Sequence, residues 1–189
     1  MKTKQMILIG FTAIVALASC KHTKKIQKVT GAQEITVPFS ESKYKSDKNY
    51  FRAKQSGKSP DLATAKKIAL QNAKAELAGN IQSLVKRVTD QYTNQRTVGD
   101  KQDFENKFEE LSREVVEQTL NDVKIMDEKI FIEKDKSYTY WAAVEDSKQS
   151  ILDGVNNKIS KNASLKLDYD KKKFEDVFNS EMEKMAKDQ

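Results

Sequence analysis

The sequence predicts an α+β fold: a small antiparallel sheet in the order strand–helix–helix–hairpin, packed by long amphipathic helices, with C-terminal helices after it. Three observations lead there. From Leu62 to Val88 apolar residues recur every three or four positions, the period of a helix with one buried face. From Ser137 to Glu145 aromatic and small residues alternate with the two-residue period of a strand, behind a turn-like Lys134-Asp135-Lys136. Two Pro and six Gly in 189 residues are few, which favours long helices over an all-strand fold.

The chain opens with Lys2 and Lys4, then an almost wholly apolar run from Met6 to Leu17, then Leu17-Ala18-Ser19-Cys20. That order is a secretion signal, too short and wrongly flanked for a spanning helix. A signal that ends on Cys resembles the lipobox of bacterial lipoproteins. The resemblance implies that the Cys20 sulfur takes a diacylglyceryl group as a thioether, that the chain is cut between Ser19 and Cys20, and that the new amine is acylated. Two or more acyl chains anchor stably where one is marginal, at about 0.8 kcal/mol per buried methylene. The competing reading is an ordinary signal cut after Ala18, since Ala16-Leu17-Ala18 fits A-x-A. It leaves a lone thiol near the new terminus in an oxidising compartment, an odd thing to keep.

Residues 1–19 are thus expected to be a signal peptide, and 20–48 a lipidated cysteine with a polar tether. Lys21, Lys24, Lys25 and Lys28 lie close together there, and each could add about 1 kcal/mol of attraction to anionic headgroups. A plain solubilising spacer explains them equally well. His22 is the one histidine and reads as a spacer residue. Lys plus Arg is 34 and Asp plus Glu 28, a net charge of +6 with pI about 9.1. That balance allows nucleic-acid binding, but export argues against it. With one cysteine the chain cannot form an internal disulfide, so packing must supply its stability.

The elements follow in order. Ile35-Thr36-Val37-Pro38-Phe39 reads as a short extended segment, confined by Pro38 to an edge or a strand start, and Ser40 to Lys48 as a polar loop. Tyr50 to Gln55 reads as the first full strand, with Gly57 as a turn after it. Ser59-Pro60-Asp61 is a helix start, Ser59 as cap and Pro60 in the first helical position. The helix buries Leu62, Ala65, Ala69, Ala73, Leu77, Ile81, Leu84, Val85 and Val88, and Gly79 is its weak point. Its alanine stripe suits close packing on a sheet rather than a membrane or oligomer face, since charges fill the other side. Asn94 to Asp100 is a break.

A second helix puts Phe104, Phe108, Leu111 and Val115 inside, and Glu105, Glu109, Glu110, Glu114 and Glu117 outside. Such a cluster could hold a cation, but a hard-cation site needs oxygens converging on one point, and a face with Lys107 and Arg113 mixed in reads as solvated. No metal or cofactor is expected. A hairpin, Val123–Glu133 and Ser137–Glu145, follows. Its first strand changes phase between Ile125 and Ile130, which predicts a bulge near Asp127 to Lys129. Ser147 to Ser160 is helical through Ile151, Leu152, Val155 and Ile159. The last segment carries Phe174, Val177, Phe178, Met182 and Met185 on one stripe, to cover the sheet edge or bind a partner.

The order of lipobox, tether, Tyr50-Phe51-Arg52-Ala53, alanine-spaced helix, and hairpin with Tyr138, Tyr140, Trp141, Ala142 and Val144 resembles the twenty-kilodalton outer-membrane lipoprotein family, named after a Helicobacter antigen. Its domain is similar to the N-terminal domain of the flagellar assembly protein T. The likeness spans Tyr50 to Asp146, and the family's strand-ending glycine is replaced here by Lys54-Gln55. It implies a small α+β domain, residues 49–146, on a membrane anchor, with no active site to carry over; 147–189 is then a C-terminal helical extension.

Function follows as an expectation: a membrane-anchored envelope lipoprotein with a non-catalytic, protein-interaction or structural role, whose partners are the bilayer through Cys20 and envelope proteins or further copies of itself. Lys21 rather than Asp after the cysteine favours the outer membrane, facing the periplasm. Nucleophilic catalysis needs Ser or Cys beside a base, and here the His sits in the tether and the Cys at the anchor. Glu145 and Asp146 are adjacent on a strand and point to opposite faces, so they cannot flank one bond. The alternative is a glycan- or lipid-binding module built on Tyr138, Tyr140 and Trp141, which would require those rings on one open face.

Overall fold

A computed structural model describes residues 35–95 and 101–188. The order is β1 (Tyr50–Ser59), α1 (Leu62–Asn94), α2 (Lys101–Thr119), β2 (Lys124–Ile132), β3 (Tyr138–Ser147), α3 (Lys148–Lys161), α4 (Ala163–Asp168) and α5 (Lys171–Lys187). The strands form one antiparallel sheet in the order β1-β3-β2, so the chain is α+β. The described residues from Thr36 onward group into one compact unit. Ser19, Cys20, His22 and the lysine-rich stretch lie outside the described residues.

β1 is longer than its sequence suggests. It runs straight through Gly57, paired with Tyr140 of β3, instead of turning there. Gly57 serves a close approach: a Cβ on it would lie 2.5 Å from both the Ala65 carbonyl oxygen and the Ala69 nitrogen. A glycine facing alanines lets α1 lie nearly against the strand backbone. Ser59 does not cap the helix. Asp61 does, accepting the Thr64 N–H at 2.7 Å, and Pro60 lies before the cap. Asp61 is held below its ordinary pKa by that bond.

α1 has 33 residues, about 50 Å at roughly 1.5 Å per residue. Its first half lays Ala65 and Ala69 on Tyr140 and Ala142 of the sheet. Its second half changes to Leu77, Ile81, Leu84, Val85, Val88 and Tyr92, which pack against helices. The alanine stripe is therefore an internal packing face, as its charged opposite side implies.

The C-terminal helices belong to this same core. Ile151, Leu152, Val155 and Ile159 of α3 and Phe174, Phe178 and Met182 of α5 share one apolar cluster with Phe51 and Leu77. Residues 147–189 are thus integrated rather than appended. The α5 stripe meets the far half of α1 and does not cover a sheet edge. Asn162 ends α3 and caps α4 by accepting the Leu165 N–H, so the expected break at 161–164 is a helix-to-helix corner.

The other face of the sheet is covered by part of the expected tether. Residues 35–39 are not a strand; the chain turns at Phe39, whose φ of 61° is in the left-handed region that bulky residues avoid. Phe39 and Tyr44 are buried against Ala143, with Met126 and Trp141 beside them. Lys54 donates to the Phe39 carbonyl at 2.7 Å, which holds the turn down. The hairpin bulge is at Met126, between Ile125 and Asp127, one residue before the expected place.

Candidate functional site

The sheet has a helix face and an outer face, and strand alternation assigns each hairpin side chain to one of them. Tyr140 is buried beneath Ala65 and Ala69 on the helix face, with the Lys66 ammonium 5.5 Å from its ring centre. Tyr138 packs half-buried on the same side. Trp141 is on the outer face, beside Phe39 and Tyr44. The three aromatic residues expected as a ligand surface are thus divided by the sheet and do not form one platform.

The carboxylates are also dispersed. Glu109 pairs with Arg113 at 3.2 Å, Glu114 with Lys158 at 2.6 Å, and Glu105 accepts the Thr93 hydroxyl at 2.8 Å. Among the described residues no three His, Cys, Asp or Glu side chains converge on a point where a metal ion could sit. A cavity of about 430 Å³ between α1 and α2 is lined by Lys86, Asp90, Glu109 and Arg113, charges of both signs. Glu145 is held by Arg52 on the outer face at 3.1 Å, whereas Asp146 is partly buried. Desolvation, with the nearby charges of Asp122 and Glu145, pushes the Asp146 carboxyl up, and its Oδ2 has no hydrogen-bond partner. Among the described residues no helix is long and apolar enough to cross a membrane.

The feature that stands out is the free edge of β2. Among the described residues no strand pairs with it. Ile130 is 51% exposed, Phe131 45% and Ile132 73%. Three consecutive apolar residues on a strand cover both faces and leave the edge between them apolar. β1, the opposite edge strand, carries Arg52, Lys54, Gln55 and Lys58, the polar dressing that discourages strand addition. The first half of β2 is guarded by Lys124 and by the Met126 bulge. Past Glu128 and Lys129, the run Ile130–Ile132 has no such guard.

Residues from both faces steady this half-strand. On the helix face Lys66 meets Glu128 at 2.9 Å. The Tyr140 hydroxyl and that ammonium together hold the Glu128 carboxyl below its usual range. On the outer face Tyr44 donates to Asp127 and lowers its pKa, while Lys129 lies 5.1 Å from the Phe39 ring centre. A recess of about 440 Å³ opens beside Phe131, lined by Val37, Pro38, Phe39 and Lys129. At the strand end, Lys136 with φ 63° closes the turn. There Asp135 accepts the Ser137 hydroxyl at 2.5 Å and its N–H at 3.0 Å. Those two bonds, with Lys58, bring Asp135 down to about 2.

The aromatic residues of the hairpin do not point to this edge. The signal was there: Ile130, Phe131 and Ile132 are adjacent, and a strand with one buried face cannot bury all three. Comparison with family models, characterised proteins and solved structures gives no match to this chain.

Proposed function

We propose that this chain is a lipid-anchored envelope protein without catalytic activity, held to the outer membrane on its periplasmic side through Cys20, whose folded unit docks another polypeptide along the free edge of β2. The observation that carries the docking reading is the unguarded run Ile130-Phe131-Ile132 on an unpaired strand. Strand addition takes affinity from backbone hydrogen bonds and specificity from alternate side chains, and this edge offers both. The anchor reading is supported by the order of Lys2, the apolar run and Leu17-Ala18-Ser19-Cys20, and by the likeness to the twenty-kilodalton outer-membrane lipoproteins. A glycan or lipid platform would need Tyr140 and Trp141 on one open face, and they are on opposite faces.

The test uses the full chain expressed with its leader. Mass spectrometry of the mature terminus is expected to find an acylated Cys20, absent from Cys20→Ser. A photoreactive residue at Ile132 is expected to yield polypeptide adducts in membranes, and one at Lys172 on α5 none. An unmodified, freely soluble terminus overturns the anchor. Equal labelling from both positions, or none from Ile132, overturns the docking edge.

A further inference from the structure

The occupant of that edge is written in the strand itself. Lys129-Ile130-Phe131-Ile132-Glu133, the end of the strand and the residue after it, has the same hydropathy read in either direction and opposite charge at its two ends. We propose that β2 pairs antiparallel with β2 of a second copy of this chain, about a two-fold axis through Phe131. This rests on the docking reading above and names its partner.

Charge and hydropathy select that register, and the backbone geometry permits it. In an antiparallel pair, hydrogen-bonded and non-hydrogen-bonded positions alternate, so a two-fold axis normal to the sheet must pass through a residue facing its own copy. With Phe131 on the axis, Ile130 faces the partner's Ile132 and Lys129 faces the partner's Glu133. Each of these pairings occurs twice. An axis at Glu128 or Lys129 sets like charges face to face. An axis at Ile130 opposes Asp127 to Glu133, and one at Ile132 opposes Phe131 to Glu133.

The direction of the backbone groups is compatible with it. The Glu133 N–H bonds the Ser137 carbonyl at 2.9 Å, and the Glu133 carbonyl accepts the Lys136 N–H at 3.0 Å. Glu133 therefore turns its polar groups toward its own hairpin. By alternation so do Phe131 and Lys129, and the N–H and C=O of Ile130 and Ile132 face the open side. Those are the residues that exchange hydrogen bonds in the register centred on Phe131. Phe131 itself then falls on the close, non-hydrogen-bonded position, where opposed side chains approach most nearly.

The faces also match. A two-fold axis normal to the sheet keeps the helix face of both copies on one side, giving a six-stranded sheet ordered β1-β3-β2-β2-β3-β1. α1 packs on β1 and β3, which leaves the joining strands room on that side. Phe131, Lys129 and Glu133 share the outer face, so the two new ion pairs flank the Phe131 contact.

The test begins with the full chain carrying Cys20→Ser, so that any introduced thiol is the only one. Phe131→Cys is expected to oxidise to a disulfide-linked dimer. Lys129→Cys alone should not link, whereas Lys129→Cys mixed with Glu133→Cys should give the heterodimer. In sedimentation, Lys129→Glu is expected to weaken the dimer roughly tenfold, since it opposes like charges twice. The double variant Lys129→Glu with Glu133→Lys should restore it, which separates a lost interface from a lost fold. A chain that stays monomeric at about 1 mM, or a double variant no tighter than the single one, overturns the second-copy pairing. A monomer whose Ile132 photoadduct is a different protein overturns this inference and leaves the docking edge standing. No adduct and no dimer removes both.

Discussion

The Tyr92 hydroxyl accepts the backbone N–H of Asp170 at 2.7 Å, and it donates to the Asp168 carbonyl at 3.1 Å. Tyr92 is in the last turn of α1, and Asp170 is the residue whose side chain caps α5 through the Lys173 N–H. One phenol thus ties the end of the longest helix to the corner between α4 and α5. Tyr92→Phe keeps the ring against Phe104 and Phe174 but takes the acceptor from the part-buried Asp170 N–H. It is expected to cost about 1–2 kcal/mol in denaturant unfolding. Amide exchange at Asp170 should quicken while exchange in the middle of α1 does not.

The same substitution is expected to act with opposite sign at two glycines. At Gly57 a Cβ meets the Ala65 carbonyl oxygen and the Ala69 nitrogen, which are helix backbone and cannot yield. Gly57→Ala should push α1 off the sheet and cost about 1–3 kcal/mol. At Gly79, inside α1, a Cβ meets nothing within 4 Å among the described residues. Gly79→Ala should stabilise by about 0.5–1 kcal/mol through helix propensity and a less mobile unfolded chain. Melting curves of the two variants, on either side of the wild type, check both.

These two glycines also mark where sequence reading succeeds and where it stops. The α1 face from Ala65 to Val88, the α2 face and the α3 face were all legible, because a helical period repeats over enough residues to be unmistakable. Gly57 was not, because a glycine that turns a chain and one that admits a neighbour look alike without the neighbour. Ser59 and Asp61 are both cap types two residues apart, and only the geometry shows which oxygen reaches Thr64. Phe39 and Tyr44 sit singly in a polar stretch with no period, so their burial depends on the outer face of the sheet. The adjacent Ile130, Phe131 and Ile132 show that one strand face stays open, but the strand order β1-β3-β2 that puts β2 on an edge is a tertiary fact.

Asp146 carries an expected pH signature. Its carboxyl is raised above the ordinary 3.8, first by desolvation and then by Asp122 and Glu145. A raised acid is penalised when charged. The penalty is absent below the unfolded value of 3.8 and develops as pH rises through the folded value. Asp146→Asn keeps an oxygen for the Ser147 N–H, which Asp146 accepts at 2.7 Å, and removes the charge. The variant is expected to melt higher than the wild type at pH 7, with the gain vanishing as pH falls toward 3.8. A gain of the same size at both ends would mean that the charge is not the cause.

Arg52 is expected to hold the segment ahead of β1 on the sheet. Its guanidinium meets Glu145 at 3.1 Å, Asp47 at 2.6 Å and the Lys45 carbonyl at 2.8 Å, with its own side chain 11% exposed. Ser46 adds a local ladder, donating to the Arg52 carbonyl and accepting its N–H. Arg52→Met keeps the aliphatic stem but leaves the Lys45 carbonyl and the two carboxylates without the bridge between them. The Asp47 side chain is 44% exposed, so screening reduces the loss to about 1–2 kcal/mol. The loss should be local: with residues 45–47 released, Tyr44 and Phe39 lose their backing, and trypsin should cut after Lys43, Lys45 or Lys48 many times faster. Lysines in α1 should keep their protection. Arg52→Lys supplies one donor head in place of a planar fork, so it should rescue the cleavage rate in part. Cleavage unchanged in Arg52→Met would show that Phe39 and Tyr44 hold the segment by packing alone.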